Sequence, residues 1–163
     1  MRGDVADPSK QRLVAVTLDE SSIGRSNRDV EHERAVAIYD LLEQNFFAPI
    51  GRAAGPYALH LSIADNRLCL DIKTADGEAV VAHFLSLSPL RRIVKDYFLV
   101  CESHYESIRG HGLARVEAID VGRRSLHDEG SALLIERLAG KVTIDHDTAR
   151  RLFTLICVLH LRA

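Results

Sequence analysis

YALHLSIADNRLCLDIKTADGEAVVAHFLSLS, residues 57–88, alternates apolar and polar side chains in three runs, broken at Asp65-Asn66 and at Ala75-Asp76-Gly77. Period-two alternation bounded by turn residues is the pattern of half-buried strands, so the stretch reads as a three-stranded antiparallel meander. A two-residue turn at Asp65-Asn66 puts Leu59, Leu61 and Ile63 on one face with Leu68, Leu70 and Ile72. The second hairpin has two options. A two-residue Asp76-Gly77 turn sets Leu70 against His83. A three-residue Ala75–Gly77 loop, with Gly77 left-handed, sets Ile72 against Val80, Leu70 against Ala82 and Leu68 against Phe84. A one-residue slip exchanges the two faces of a strand, and the three-residue loop keeps apolar partners together, so it is the expected register.

Upstream, residues 1–11 are polar, contain Pro8 and read as a flexible tail, leaving 12–163 as a single α+β domain. RLVAVTL (12–18) is a strand, 19–29 a loop, and VEHERAVAIYDLLEQNFF (30–47) a helix opened by a Ser26–Asp29 capping box. Its expected buried stripe is Ala35, Ile38, Leu42 and Phe46. Pro49, Gly51, Gly55 and Pro56 end that unit.

Downstream, Pro89 opens a helix over 89–109 with Leu90, Ile93, Val94, Tyr97, Cys101 and Ile108 inward. Gly110-His111-Gly112 breaks it. Residues 113–141 are helical in one piece or two, and Gly122, Leu126 and Gly130 share a face that lets another helix approach. Gly140 is a stop signal, KVTI (141–144) a short strand, and Asp145 or Asp147 caps a last helix to 161. LFTLICVLHL (152–161) is apolar nearly all round, so it is buried centrally or seals against a second copy, which leaves a homodimer open. The expected fold is α+β: a four-stranded, mostly antiparallel sheet, built as strand, helix and three-stranded meander, packed with three or four C-terminal helices.

The 163 residues, 47% hydrophobic and 27% charged, have the composition of a folded globular protein and exclude wholesale disorder. A net charge of -2 gives no general attraction to nucleic acid or membrane, and 6% aromatic residues without Trp argue against a base-stacking platform. Cys69, Cys101 and Cys157 share no metal spacing and read as free thiols of a reducing compartment. The N-terminal stretch lacks the apolar core of a signal peptide. A cytoplasmic protein with no cofactor is expected.

Chemistry has two candidate places. GRRSLHDEGS (122–131) sets Asp120, Arg124 and Asp128 four apart, and likewise Arg123 and His127, which a salt-bridged helix surface explains without function. Arginine pairs recur, however, at Arg91-Arg92, Arg123-Arg124 and Arg150-Arg151. If two pairs converge, their planar forks hold a phosphate or carboxylate bidentately. The candidate residues for an anion or partner are Arg91, Arg92, Lys95, Arg123, Arg124 and His127. The second place is the other face of the meander, where His60 lies opposite Asp71 and the next row is Ser62, Cys69 and His83. Those residues read as a hydrogen-bonded His60–Asp71 pair under a helix, as a His60/Asp71/His83 metal or acid–base site, or as a Cys69–His83 nucleophile pair. EHER (31–34) and ESHYE (102–106) lack a histidine pair at four-residue spacing and carry no metal reading.

VEHERAVAIYDLLEQN, PLRRIVKDYFLVCES, EAIDVGRRSLHDEGS and DTARRLFTLICVLH, in that order, resemble uncharacterised protein family 0262, a family of small alphaproteobacterial proteins, over residues 12–162. The resemblance implies a bacterial, cytoplasmic, one-domain protein and transfers no activity, cofactor or catalytic residue. The residues themselves favour a non-catalytic binding or regulatory module that engages an acidic protein or a phosphorylated small ligand. The alternative is an enzyme acting on a small anionic substrate through His127 or the His60/Asp71/His83 face.

Overall fold

The computed structural model describes residues 10–20, 28–52, 55–110 and 113–159, with the side chains of 29, 101–110 and 113–116 outside that description. The chain runs β1 (Leu13–Leu18), α1 (Arg28–Glu43), β2 (Phe47–Pro49), β3 (Tyr57–Ala64), β4 (Arg67–Thr74), β5 (Ala79–Ser86), α2 (Ser88–Gly110), α3 (Leu113–Leu138), β6 (Val142–Ile144) and α4 (His146–Leu159). The first tail residues and the Ser26 half of the capping box lie outside the described residues, as do the side chains of Cys101 and Ile108.

The α+β fold is the one the sequence leads to. β1, β3, β4 and β5 form a four-stranded sheet in that order. β1 joins β3 in parallel, Val16 beside Leu59 and Leu18 beside Leu61, with α1 as the crossover that a parallel pair requires. β3 and β4 pair as expected, Leu59 with Ile72, Leu61 with Leu70 and Ile63 with Leu68. The turn between them holds Asp65 and Asn66 at φ 54° and 58°, the doubly left-handed geometry that matches strand twist. Asn tolerates that conformation and Ala does not, so Asn66→Ala is expected to lower unfolding stability by about 1 kcal/mol while Asn66→Gly leaves it nearly unchanged. Urea unfolding of both variants checks this; equal losses would trace the effect to the Asn66 side chain instead of its backbone.

The second hairpin corrects the expected register. Its loop is as read: Gly77 has φ 95°, and the Thr74 and Gly77 amides donate to Glu78 and Thr74 across three residues. Lys73 faces Ala79, but Ile72 faces Val81, Leu70 faces His83 and Leu68 faces Leu85. An extra β5 residue, Val80, therefore sits in a bulge, and every side chain beyond it changes face. The shift buries Leu85 and Leu87 and leaves Phe84 exposed at 54%. It also moves His83 to the core side of the sheet.

Two further corrections concern α1 and its exit. The buried positions of α1 are Ala37 and Leu41, with Ile38 and Leu42 partly covered, while Ala35 is exposed. Arg34, paired to Glu20 and Glu31, sits between the apolar positions and obscures their period. The helix stops at Glu43 because Asn45 turns back on the chain: it accepts from Leu13 N at 2.8 Å and donates to Leu13 O at 3.0 Å and Leu41 O at 2.8 Å. Phe47 then enters a small antiparallel sheet with β6.

The helices cover the sheet face that carries Val16, Leu59, Leu61, Leu68, Leu70 and Ile72. α4 packs between α1 and α3, and α2 packs on α3. Asp145 caps α4 through Thr148 N at 2.9 Å, and Leu152, Phe153 and Leu155–Leu159 are all buried. The apolar C-terminal helix is thus the centre of the domain. No described helix is long and apolar enough to cross a membrane.

Candidate anion-binding cleft

All four helices contribute to one cleft of about 430 Å³. α3 supplies Arg123, Arg124 and His127; α4 supplies Arg150, Arg151 and Thr154; α2 supplies Tyr97; α1 supplies His32, Glu33, Val36, Ala37 and Asp40. Two of the three arginine pairs therefore converge. They do so because α3 and α4 pack closely along Gly130, whose missing Cβ is replaced by the Phe153 ring.

The arginines are held differently. Asp120 accepts from Arg123 at 3.0 Å and from Arg124 at 2.6 Å, the helix-surface pairing the spacing suggests. Asp128 instead reaches across to Arg150 on α4 and lies 3.7 Å from His146. Arg151 donates to the Asp147 carbonyl at 3.1 Å, and among the described residues it has no carboxylate partner. Burial opposes the charge of Arg123, but its hydrogen bond to Asp120 and the neighbouring Tyr97 oxygen outweigh burial and hold its pKa raised.

His127 is 8% exposed and sits at the base of this group. Its Nε2 lies 2.8 Å from Thr154 Oγ1, and its ring stands edge-on to Tyr97 and Phe153. Burial, followed by the charges of Arg150 and Arg123, lowers its pKa to about 4 against the pull of Asp128. It is neutral at pH 7. Three buried side-chain nitrogens among the described residues have no hydrogen-bond partner: Arg123 Nε, His127 Nδ1 and Arg151 Nε. All three belong to residues that line the cleft.

Of the residues singled out from sequence, Arg123, Arg124 and His127 lie in the cleft, and Arg91, Arg92 and Lys95 do not. Arg91 donates to Asn66 and Arg92 ties α2 to α3 through Glu129 at 3.1 Å, with Asp96 at 3.2 Å. Arg150 and Arg151 carried the only advance signal, their recurrence as a pair. Tyr97 was legible only as an inward position and His32 only within the discounted EHER stretch, and nothing local marked Thr154 or Asp40.

The His60/Asp71/His83 grouping does not form. His60 does face Asp71, and Ser62 faces Cys69, but the next residue across that row is Phe84. The Val80 bulge puts His83 on the opposite face, where burial and then Lys141 and Arg52 lower its pKa. Among the described residues no three His, Cys, Asp or Glu side chains are grouped to hold a metal ion. His60 Nδ1 bonds Thr17 Oγ1 at 2.7 Å, and burial raises the Cys69 thiol pKa, the reverse of activation.

Residues 10–162 match the model of Uncharacterised protein family (UPF0262). The chain belongs to that family. Its similar proteins include UPF0262 proteins of Rhodopseudomonas palustris strain BisA53, 66% identical over 154 residues, and of Azorhizobium caulinodans, 64% identical over 155 residues. A UPF0262 protein of Nitrobacter winogradskyi is 62% identical over 154 residues. Each alignment covers 94% of this chain, and 94%, 96% and 92% of the respective relatives. No solved structure matches the chain. All the cleft residues named above fall inside the span matched to UPF0262.

Proposed function

We propose that the four-helix cleft binds a small phosphorylated ligand, and that the protein is a binding or regulatory module. One observation carries this reading: two arginine pairs from separate helices line one cleft, and buried donors of Arg123 and Arg151 have nothing to donate to. An unmet buried donor costs roughly 1–3 kcal/mol, and an anion drawn in against these two side chains would lower that cost. The cleft is concave and of small-molecule size, which favours a ligand over an acidic protein surface. The low pKa of His127 favours binding over proton transfer at neutral pH, because a general base works best with a pKa near the operating pH.

Titration of the protein with inorganic phosphate, followed by calorimetry and by arginine side-chain resonances, tests the reading. Saturable binding is expected, weakening as salt rises. Arg151→Ala is expected to reduce phosphate affinity by about tenfold or more at unchanged unfolding midpoint, since Arg151 holds no other described carboxylate. Absence of phosphate binding by the unaltered protein, or full affinity in Arg151→Ala, would remove the assignment.

A further inference from the structure

We infer that the ligand of this cleft carries a hydroxyl beside its anionic group, and that His127 Nδ1 accepts a hydrogen bond from it. The inference rests on the phosphate-cleft reading and names the class of ligand within it: hydroxylated phosphomonoesters, in preference to bare alkyl phosphates.

The argument starts from Thr154, which has one hydroxyl proton. Its Oγ1 lies 3.3 Å from the Arg150 carbonyl oxygen, which can only accept, and in the inferred arrangement the hydroxyl donates there. Oγ1 then accepts from His127, whose Nε2 is 2.8 Å away. Imidazole that is neutral and protonated on Nε2 has a bare lone pair on Nδ1. That Nδ1 is buried and meets no donor.

A phosphate oxygen cannot occupy such a position, because two lone pairs would face each other. A donor must. Neither Arg123 nor Arg151 supplies one through its Nε, because both of those nitrogens are themselves without partners. Arg150, Arg123 and His146 oppose positive charge at His127 and outweigh the pull of Asp128, so a neutral hydroxyl fits there better than a ligand ammonium. The wall contributed by α1 includes the carboxylates of Asp40 and Glu33, acceptors as Nδ1 is in this tautomer. The cleft thus offers donors from α3 and α4 to an anion, and acceptors at His127 and Asp40 to the remainder of the molecule.

The test compares methyl phosphate with glycerol 3-phosphate at pH 7.5 and fixed ionic strength, by calorimetry, with nitrogen spectra of the histidines recorded alongside. Glycerol 3-phosphate is expected to bind about tenfold more tightly, the advantage of satisfying one buried acceptor. His127 is expected to carry its proton on Nε2, and its Nδ1 resonance to move with glycerol 3-phosphate and not with methyl phosphate. Thr154→Val removes the acceptor that sets the tautomer while conserving volume, and is expected to bring the two affinities within about twofold. Asp40→Ala, at a half-buried helix position, is a second variant expected to reduce the preference. Binding of both esters with equal affinity, or a His127 proton on Nδ1, overturns the hydroxyl inference and leaves the phosphate cleft standing. Failure of both esters to bind overturns the cleft reading along with it.

Discussion

Gly130→Ala is expected to destabilise the protein by about 2 kcal/mol, while Gly122→Ala, two turns earlier on α3, is expected to stabilise it by about 0.5–1 kcal/mol. A Cβ built at Gly130 meets three Phe153 ring carbons at 2.2, 2.4 and 2.7 Å, far inside van der Waals contact. The ring has nowhere to go. It is fully buried and stands edge-on to Tyr97 at 5.7 Å and to His127 at 5.3 Å between centroids. The clash therefore exceeds the roughly 1 kcal/mol that alanine gains over glycine inside a helix. At Gly122 the same Cβ meets nothing within 4 Å, so only the helix gain remains. Urea midpoints of the two variants should move in opposite directions. Adding Phe153→Leu to Gly130→Ala should cost less than the two single losses combined, because the smaller side chain vacates the contested space. Equal shifts at both glycines, or strict additivity with Phe153→Leu, would refute the close-packing account. Because α3 and α4 meet here, Gly130→Ala is also expected to disturb the convergence of Arg123 with Arg151.

The second large effect is acid sensitivity through His127. Its folded pKa of about 4 lies below the ordinary 6.5, so from pH 6.5 downward the unfolded chain binds a proton that the folded chain refuses. The stabilisation is fully present above pH 6.5, declines as pH falls, and is gone below about pH 4. At about 1.4 kcal/mol per pH unit, the gap amounts to about 3 kcal/mol, of which about 2 kcal/mol is lost between pH 7 and pH 5. The groups facing His127 all enter this balance: Arg150, Arg123 and His146 oppose its charge and Asp128 favours it. Unfolding free energies of the unaltered protein and of His127→Gln, measured from pH 7.5 to 5, separate this contribution from that of His83, whose lowered pKa acts in the same direction. The slope should be shallower in His127→Gln. The carbon-bound protons of His127 should show no titration above pH 5; a midpoint near 6.5 would contradict the buried neutral state.

Both effects share an origin with the proposed function. The buried, neutral His127 and the tight α3–α4 contact bring arginines of different helices to one cavity and leave their Nε groups without protein partners. Folding brings these arginines together with Asp120 and Asp128 paired to three of them and Asp40 and Glu33 on the facing wall, and an anion would meet the donors left over.

What the sequence determined by itself is what short-range physics decides. Period-two alternation and the Asp65-Asn66 turn specified β3, β4 and their register, since a turn with two left-handed residues leaves a single pairing that keeps Leu59, Leu61 and Ile63 inside. The left-handed Gly140, a capping aspartate at 145 or 147 and the apolar run 152–159 marked the last helix, while the choice of Asp145 and the helix's burial at the centre were decided by packing. Tertiary structure decided the rest. The Gly77 loop was legible, but the Val80 bulge depends on Leu85 and Leu87 reaching the helical layer, which no alternation within β5 reveals. Phe47 left the helix for β2 because Asn45 found Leu13, 32 positions away. Gly122 and Gly130 look alike along the chain, and only the arrival of Phe153 separates them. The candidate site follows the same division: the arginine pairs were visible as pairs, while their convergence required helices α3 and α4 to pack at one angle and depth. Contact between side chains distant in sequence is set by that packing, which a local pattern does not encode.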